Sequence, residues 1–319
     1  MRFVFRADAS HDIGAGHVMR CSAIAEEFIA RGEETIFIGS LSELDWLKQR
    51  VFNLGFTKVY ESFKEFLPNT ETDVLILDSY TLKVNDQNLN PRKWFSIVAI
   101  VDSVTPQYKC QLRIHPGLDS EWDQNKGVPL LFGPKYIPLR KGINKIELGR
   151  ERTSPKLNII VSSGGTDAFG LVSTLANILN KTVFDFEANL FTNSTLPEGL
   201  DSRFKVIPLG PDLDSIAETA DLVFTTASTS ALEFIAMGLP VGIVCAIENQ
   251  ESYYAILGKL KVAFQLGLKN SKGDWELDHR LIEESVSSPE FRQKLSNHSI
   301  QLIDLNGAKR IVNKIRSIC

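Results

Sequence analysis

Fifteen residues near the start of the chain, Arg6-Ala-Asp-Ala-Ser-His-Asp-Ile-Gly-Ala-Gly-His-Val-Met-Arg20, gather the side chains best suited to chemistry. His17 stands just after the glycines, either facing a ligand or serving as a capping or core histidine. Gly14 and Gly16 remove side chains, so backbone and ligand can approach closely. The apolar spacing that follows predicts a helix ending at Gly32. Its first turn would offer N–H groups and a positive dipole end, both suited to an anion. His17 falls in that first turn, in a position to face whatever lies there.

Two other chemistries suit the stretch less well. Gly14-Ala-Gly16 begins a dinucleotide fingerprint, but Met19 stands at the third glycine position, and Glu33 and Glu34 precede the second strand instead of closing it. Asp8, His11, Asp12 and His17 match no usual metal-ligand spacing. Neither a metal nor a cofactor is expected.

Positioning these residues requires strands that end where the loop begins. Phe3-Val4-Phe5 reads as the first strand, with further strands at residues 35–39, 58–60, 73–78 and 97–101 and helices at 42–54 and 85–94. Residues 73–78 are a nearly continuous apolar run, as in a strand covered on both faces. The alternation predicts a mainly parallel sheet, whose carboxyl ends build the site. Asp78 and Asp102 close two of these strands, so Asp8, His17, Asp78, Tyr80 and Asp102 are expected to converge. The pattern weakens between Gln111 and Arg140, with short strands at 112–115 and 130–132, and residues 140–156 read as a linker.

The second half repeats the opening logic. Leu157-Asn-Ile-Ile-Val-Ser-Ser-Gly-Gly-Thr-Asp167 is a strand, a glycine turn and a helix expected from about Asp167. Strands follow at 186–192, 204–207 and 221–225, with a helix at 212–218. Thr225-Thr-Ala-Ser-Thr-Ser-Ala-Leu-Glu-Phe-Ile-Ala-Met-Gly-Leu-Pro240 then runs from strand through small hydroxyls into a helix ended by Gly238. Hydroxyls and first-turn N–H groups would suit a diphosphate. Glu233 is the only charged residue between Asp221 and Glu248, and a lone carboxylate there needs a hydrogen-bonding partner such as a ribose. After a strand at 241–245, Glu248-Asn-Gln-Glu251 is a polar turn able to bind sugar or phosphate. Two last helices, from Phe291 to Ile318, join near Asn306-Gly307.

At 319 residues the chain suits two domains, 1–145 and 155–319, with the last helix free to pack back on the first. Net charge of −4 excludes a generalised nucleic-acid surface. Four scattered cysteines without a CxxC pair fit a reducing cytoplasm. The longest apolar stretch, residues 222–247, is broken by Glu233, Gly238 and Pro240, so no integral membrane segment is expected. Oligomeric state stays open, a monomer being favoured.

Together these motifs resemble the nucleotide-sugar hydrolases of the pseudaminic acid pathway, UDP-2,4-diacetamido-2,4,6-trideoxy-β-L-altropyranose hydrolases. That family is related to spore-coat polysaccharide biosynthesis proteins and to the peptidoglycan N-acetylglucosaminyltransferase. The resemblance rests on Arg6-x-Asp8-x-Ser10, Gly14-x-Gly-His17-x-x-Arg20, Asp78-x-Tyr80, Tyr136 with Leu139-Arg140, Gly164-Gly-Thr-Asp167, Ala227-Ser with Glu233, and Asn249-Gln-Glu251. It implies an α/β glycosyltransferase-B-like fold: two Rossmann-like domains with parallel sheets facing a central cleft. The N-terminal domain would take the sugar and the C-terminal domain the UDP, with metal-independent release of UDP and free sugar. It further implies His17 as the base, with Asp78 and Tyr80 catalytic. Arg6, Asp8, Gly14, Gly16, Arg20, Arg140, Gly164, Gly165, Thr166, Asp167, Ser228, Thr229, Glu233, Asn249, Gln250 and Glu251 would bind substrate. Ser79, Ser103 and His115-Pro-Gly depart from the family pattern, all on the sugar side, which leaves sugar identity and acceptor open. A glycosyltransferase using a UDP-sugar donor and a non-catalytic nucleotide-sugar-binding protein are the alternatives.

Overall fold

The computed structural model describes residues 1–42, 44–119, 121, 123, 127–147, 155–210 and 213–319. The chain divides into two compact units, Met1–Lys141 with Leu305–Cys319, and Gly142–Asp304.

The first unit is a seven-stranded parallel sheet in the order β3-β2-β1-β4-β5-β6-β7. Its strands are β1 (Arg2–Ala7), β2 (Glu34–Ile38), β3 (Lys58–Tyr60), β4 (Asp73–Asp78), β5 (Ser96–Ile100), β6 (Leu112–Ile114) and β7 (Leu130–Leu131). Alternation sends Phe3, Phe5, Val74 and Ile76 to one face, where they bury Val18, Cys21, Ile24 and Phe28 of α1 (Gly16–Ala30). Helix α2 (Asp45–Asn53) adds Leu47 and Val51 to this core. Val4, Leu75 and Leu77 point the other way, toward Trp94 and Tyr108. Helix α1 stops because Gly32 adopts φ +73°, which a glycine tolerates, and the Gly32 and Glu33 N–H groups close on Ile29 and Phe28 carbonyls. No regular helix forms at 85–94; two 3-10 turns, Gln87–Leu89 and Pro91–Lys93, occupy it instead. Asp86 and Asn90 cap those turns, and Pro91 lacks the N–H a longer helix needs.

The second unit is a sheet in the order β10-β9-β8-β11-β12-β13-β14. Its strands are β8 (Leu157–Ser162), β9 (Phe186–Phe191), β10 (Phe204–Ile207), β11 (Leu222–Thr226), β12 (Val241–Cys245), β13 (Phe264–Lys269) and β14 (Trp275–Leu277). All pairs are parallel except β13 with β14. The helices are α3 (Leu171–Asn180), α4 (Leu213–Ala217), α5 (Thr229–Met237), α6 (Glu251–Lys259), α7 (His279–Ser287) and α8 (Pro289–Leu302). Helix α3 starts at Leu171, later than the expected Asp167, because Gly170 sits in the left-handed region at φ +63°. The helix expected at 212–218 is α4; Asp212 lies outside the described residues.

The chain then returns to the first unit as α9 (Gly307–Arg316), which packs on α1 through Ile311, Val312 and Ile315. Gly307 permits this return: a Cβ there would lie 1.9 Å from the Ile137 carbonyl oxygen.

Candidate active site

In the first sheet, β1 is followed outward by β2 on one side and flanked by β4 on the other, so the strand order reverses between β1 and β4. Such a reversal opens a crevice at the carboxyl ends. His17 stands in the first turn of α1, just after β1, and Asp78 is the last residue of β4. Asp78 is in register with Ala7, so its side chain points to the face that α1 covers. The helix opens without a side-chain cap, after a loop tied by the Gly14 N–H to the Ser10 carbonyl, with Gly14 at φ +78°.

His17, Arg20 and Asp78 are all buried there. His17 Nδ1 lies 2.5 Å from Asp78 Oδ1, while Arg20 Nε and Nη2 donate to Asp78 Oδ2 and Oδ1 at 2.8 Å each. Arg20 Nη2 is also 2.9 Å from His17 Nδ1. Nδ1 cannot both donate to Asp78 and accept from Arg20; because Arg20 Nη2 already donates to Asp78 Oδ1, the shorter contact to the carboxylate assigns the proton to Nδ1 and the lone pair to Nε2. These contacts hold the imidazole ring in one orientation.

Burial pushes the Asp78 carboxyl up, but the Arg20 guanidinium and then His17 overcome this and hold it at about 2. Because the folded value lies below the unfolded one (~3.9), its stabilisation is complete above about pH 4 and is lost as pH falls through about 2. That contribution is on the order of 2–3 kcal/mol. Urea unfolding between pH 4 and 2 should therefore show a steeper loss in wild type than in Asp78→Asn; equal slopes would contradict the assignment.

Tyr80 sets its ring edge against His17, with centroids 4.3 Å apart and planes at 81°. Its hydroxyl donates to Asp102 Oδ2, and burial first, then Asp102, pushes the phenol far up, so it stays neutral. Asp102 Oδ1 meanwhile accepts from the Val104 N–H and the Thr105 hydroxyl. His115, at the end of β6, directs Nδ1 to the Val101 carbonyl at 3.0 Å; since that oxygen only accepts, Nδ1 carries the proton. Burial pushes this imidazole down, keeping it neutral at pH 7. His115 lies within electrostatic reach of Asp102 and Arg20, and the sequence marked it only as a departure from the family pattern.

Three expected members engage other partners. Arg6 and Asp8 lie off the α1 face, since Arg6 alternates with Phe5 and Ala7. They pair with each other at 2.6–2.7 Å, Arg6 covers the Phe63 ring, and Asp8 Oδ1 accepts the Ser40 N–H. Arg140 is buried and acts electrostatically on Glu26. Glu26 is nine residues along α1 from His17, about 14 Å at the rise of a helix.

The second sheet reverses its order between β8 and β11. Gly164, at φ +96° in the turn after β8, faces the hydroxyls that follow β11: a Cβ there would lie 3.6–3.9 Å from Ser230 Oγ, Ser228 Oγ and Thr226 Oγ1. Thr226 Oγ1 bonds the Ser163 carbonyl and Ser228 Oγ, both at 3.2 Å, and locks the two motifs together. Ser228 precedes α5 without capping it by its side chain, so Thr229 opens a helix whose first N–H groups lack an intrahelical partner. Gly165 and Thr166 complete the turn, the Thr166 carbonyl accepting from Ser163 Oγ.

Asp167 turns inward, accepting from Ser163 and Thr192 hydroxyls at 3.0 and 3.1 Å, and burial raises its carboxyl. Glu233 is buried in the second turn of α5. Gln250 Oε1 accepts the Ala246 N–H at 2.9 Å and so shapes the turn after β12, leaving Asn249 and Glu251 exposed. Thr226 and Ser230 are legible in the sequence only as members of a hydroxyl run. Among the described residues, no cluster of three His, Cys, Asp or Glu is placed to hold a metal, and no helix is long and apolar enough to cross a membrane.

Two units of this kind, each with its loops at the reversal of a parallel sheet, define the glycosyltransferase-B fold, and solved structures bear this out. MurG of Acinetobacter baumannii superposes with a TM-score of 0.62 at 11% identity, covering 99% of this chain and 100% of that one. The putative UDP-N-acetylglucosamine 2-epimerase of Listeria monocytogenes gives 0.64 at 10% identity, over 99% and 96%. The spinosyn rhamnosyltransferase SpnG, complexed with thymidine diphosphate, gives 0.64 at 15% identity, over all of both chains.

In sequence, the chain is similar to the UDP-2,4-diacetamido-2,4,6-trideoxy-β-L-altropyranose hydrolase of Campylobacter jejuni. The two are 22% identical over 271 residues, 81% of this chain and 97% of that protein. An uncharacterized protein of Methanocaldococcus jannaschii is 24% identical over 280 residues, 80% of this chain; the match spans 57% of that protein's length. No family model matches the chain.

Proposed function

We propose that the protein hydrolyses a UDP-linked 2,4-diacetamido-2,4,6-trideoxyhexose to free sugar and UDP. The observation that carries this reading is the buried His17–Asp78–Arg20 unit at the reversal of the first sheet. Similarity to the Campylobacter jejuni hydrolase supports the substrate class. In the proposed step, His17 Nε2 takes a proton from water while the water oxygen forms a bond to the anomeric carbon. The bond from that carbon to the diphosphate oxygen breaks, its electron pair leaves with UDP, and imidazolium returns the proton to solvent. Glycine-turn and helix N-terminal donors of the second unit, around Gly164, Gly165, Ser228 and Thr229, would carry the diphosphate charge. Glu233 would accept from the ribose hydroxyls.

Glu233→Ala is expected to weaken UDP binding about tenfold, the size of one lost hydrogen bond to a charged group. Calorimetry with UDP checks this, and unaltered affinity would return Glu233 to a packing role. A glycosyl transfer to another acceptor is the second reading, favoured by the fold shared with MurG and SpnG. Turnover with water as the only acceptor separates the two.

A further inference from the structure

We propose that Arg20 is a positioning residue: it holds Asp78 so that the carboxylate orients the His17 ring without drawing that ring into the imidazolium form. The motif match alone assigns Arg20 to substrate, but its guanidinium is buried and spans both oxygens of Asp78. A carboxylate alone beside an imidazole stabilises the cation strongly. Here Arg20 already balances that carboxylate, and its Nη2 lies 2.9 Å from His17 Nδ1, so an imidazolium would meet a like charge.

The remaining groups around the ring leave this balance intact. Tyr80 presents a neutral ring edge, and the Asp102 behind it is engaged by Tyr80, Val104 and Thr105. His115 is neutral, and Arg6 is neutralised by Asp8. Arg20 and Asp78 are therefore the charged groups in contact with the His17 ring. The inference rests on His17 acting as the base, but its test does not need turnover.

The titration of His17 would be followed by long-range proton–nitrogen NMR, the signal being assigned by its loss in His17→Asn. Arg20→Gln is expected to raise the midpoint by about one unit or more, whereas Arg20→Lys, which keeps the charge, stays nearer to wild type. An unmoved midpoint in folded Arg20→Gln overturns the proposal. Should that variant not fold, the wild-type spectrum decides: a proton on Nδ1 and a bare Nε2 support the arrangement, and the opposite tautomer overturns it. In kinetics, the acidic limb of the pH–rate profile should move up with KM retained. A raised KM with an unmoved limb would make Arg20 a substrate ligand instead. Absence of turnover in wild type would defeat the proposed hydrolysis, yet the titration would still judge Arg20.

Discussion

Replacing His17 by asparagine is expected to lower turnover by roughly 10²–10⁴-fold, the range for loss of a general base. UDP affinity should stay within about twofold, because uniform binding is untouched when only a proton acceptor is removed. Asparagine can still engage Asp78, so the Asp78–Arg20 pair keeps its partner in the buried site. Single-turnover kinetics alongside UDP calorimetry measure both quantities. Unchanged turnover would remove His17 from the mechanism, and parallel loss of turnover and UDP binding would mean a collapsed site.

Asp78→Asn should have two large effects with one origin. Arg20 can only donate, so it claims the amide oxygen and turns the amide NH₂ toward His17 Nδ1. The imidazole then carries its proton on Nε2, where the base is needed, and turnover should fall on the order of 10²–10⁴-fold. The same substitution leaves a buried guanidinium without its counter-charge, a loss of about 3–5 kcal/mol when one partner of a buried pair is removed. At roughly 2–4 °C per kcal/mol for a unit of this size, the unfolding midpoint should drop by about 10 °C. Calorimetry and kinetics on the one variant test both. A stable, active Asp78→Asn protein would mean that Asp78 neither orients His17 nor balances Arg20.

Much of the fold was legible in the sequence. The nearly continuous apolar run at 73–78 read as a strand covered on both faces, residues 157–162 read as a strand before a glycine turn, and glycines at 32 and 238 marked helix ends. What escaped was structure specified by partners. Strand β13 alternates apolar and polar residues only briefly and breaks register with β12 between Ile243 and Val244, so neither it nor the antiparallel β14 stood out. Helix α7 is mostly polar and is held by the capping Asp278 and by Ile282 and Val286 in the core.

The site divides in the same way. Strand ends singled out Asp78 and Asp102 and the helix start singled out His17, and the structure joins His17 to Asp78 and Asp102 to Tyr80. Which acid meets which cation depends on strand order and on the face each residue occupies, and neither is written locally. Asp8, one residue past the end of β1, pairs with Arg6, a partner that its position in the sequence does not announce. Arg20 and Arg140 read alike as basic residues for an anionic substrate. The fold gives one to Asp78 and sets the other within reach of Glu26.

The most direct test of the proposed hydrolysis is time-resolved NMR of the purified protein with UDP-2,4-diacetamido-2,4,6-trideoxy-L-altrose, chelator present and no acceptor but water. The expected result is stoichiometric release of UDP and free sugar, abolished in His17→Asn. Tight binding of the nucleotide sugar with no release over many hours would contradict it.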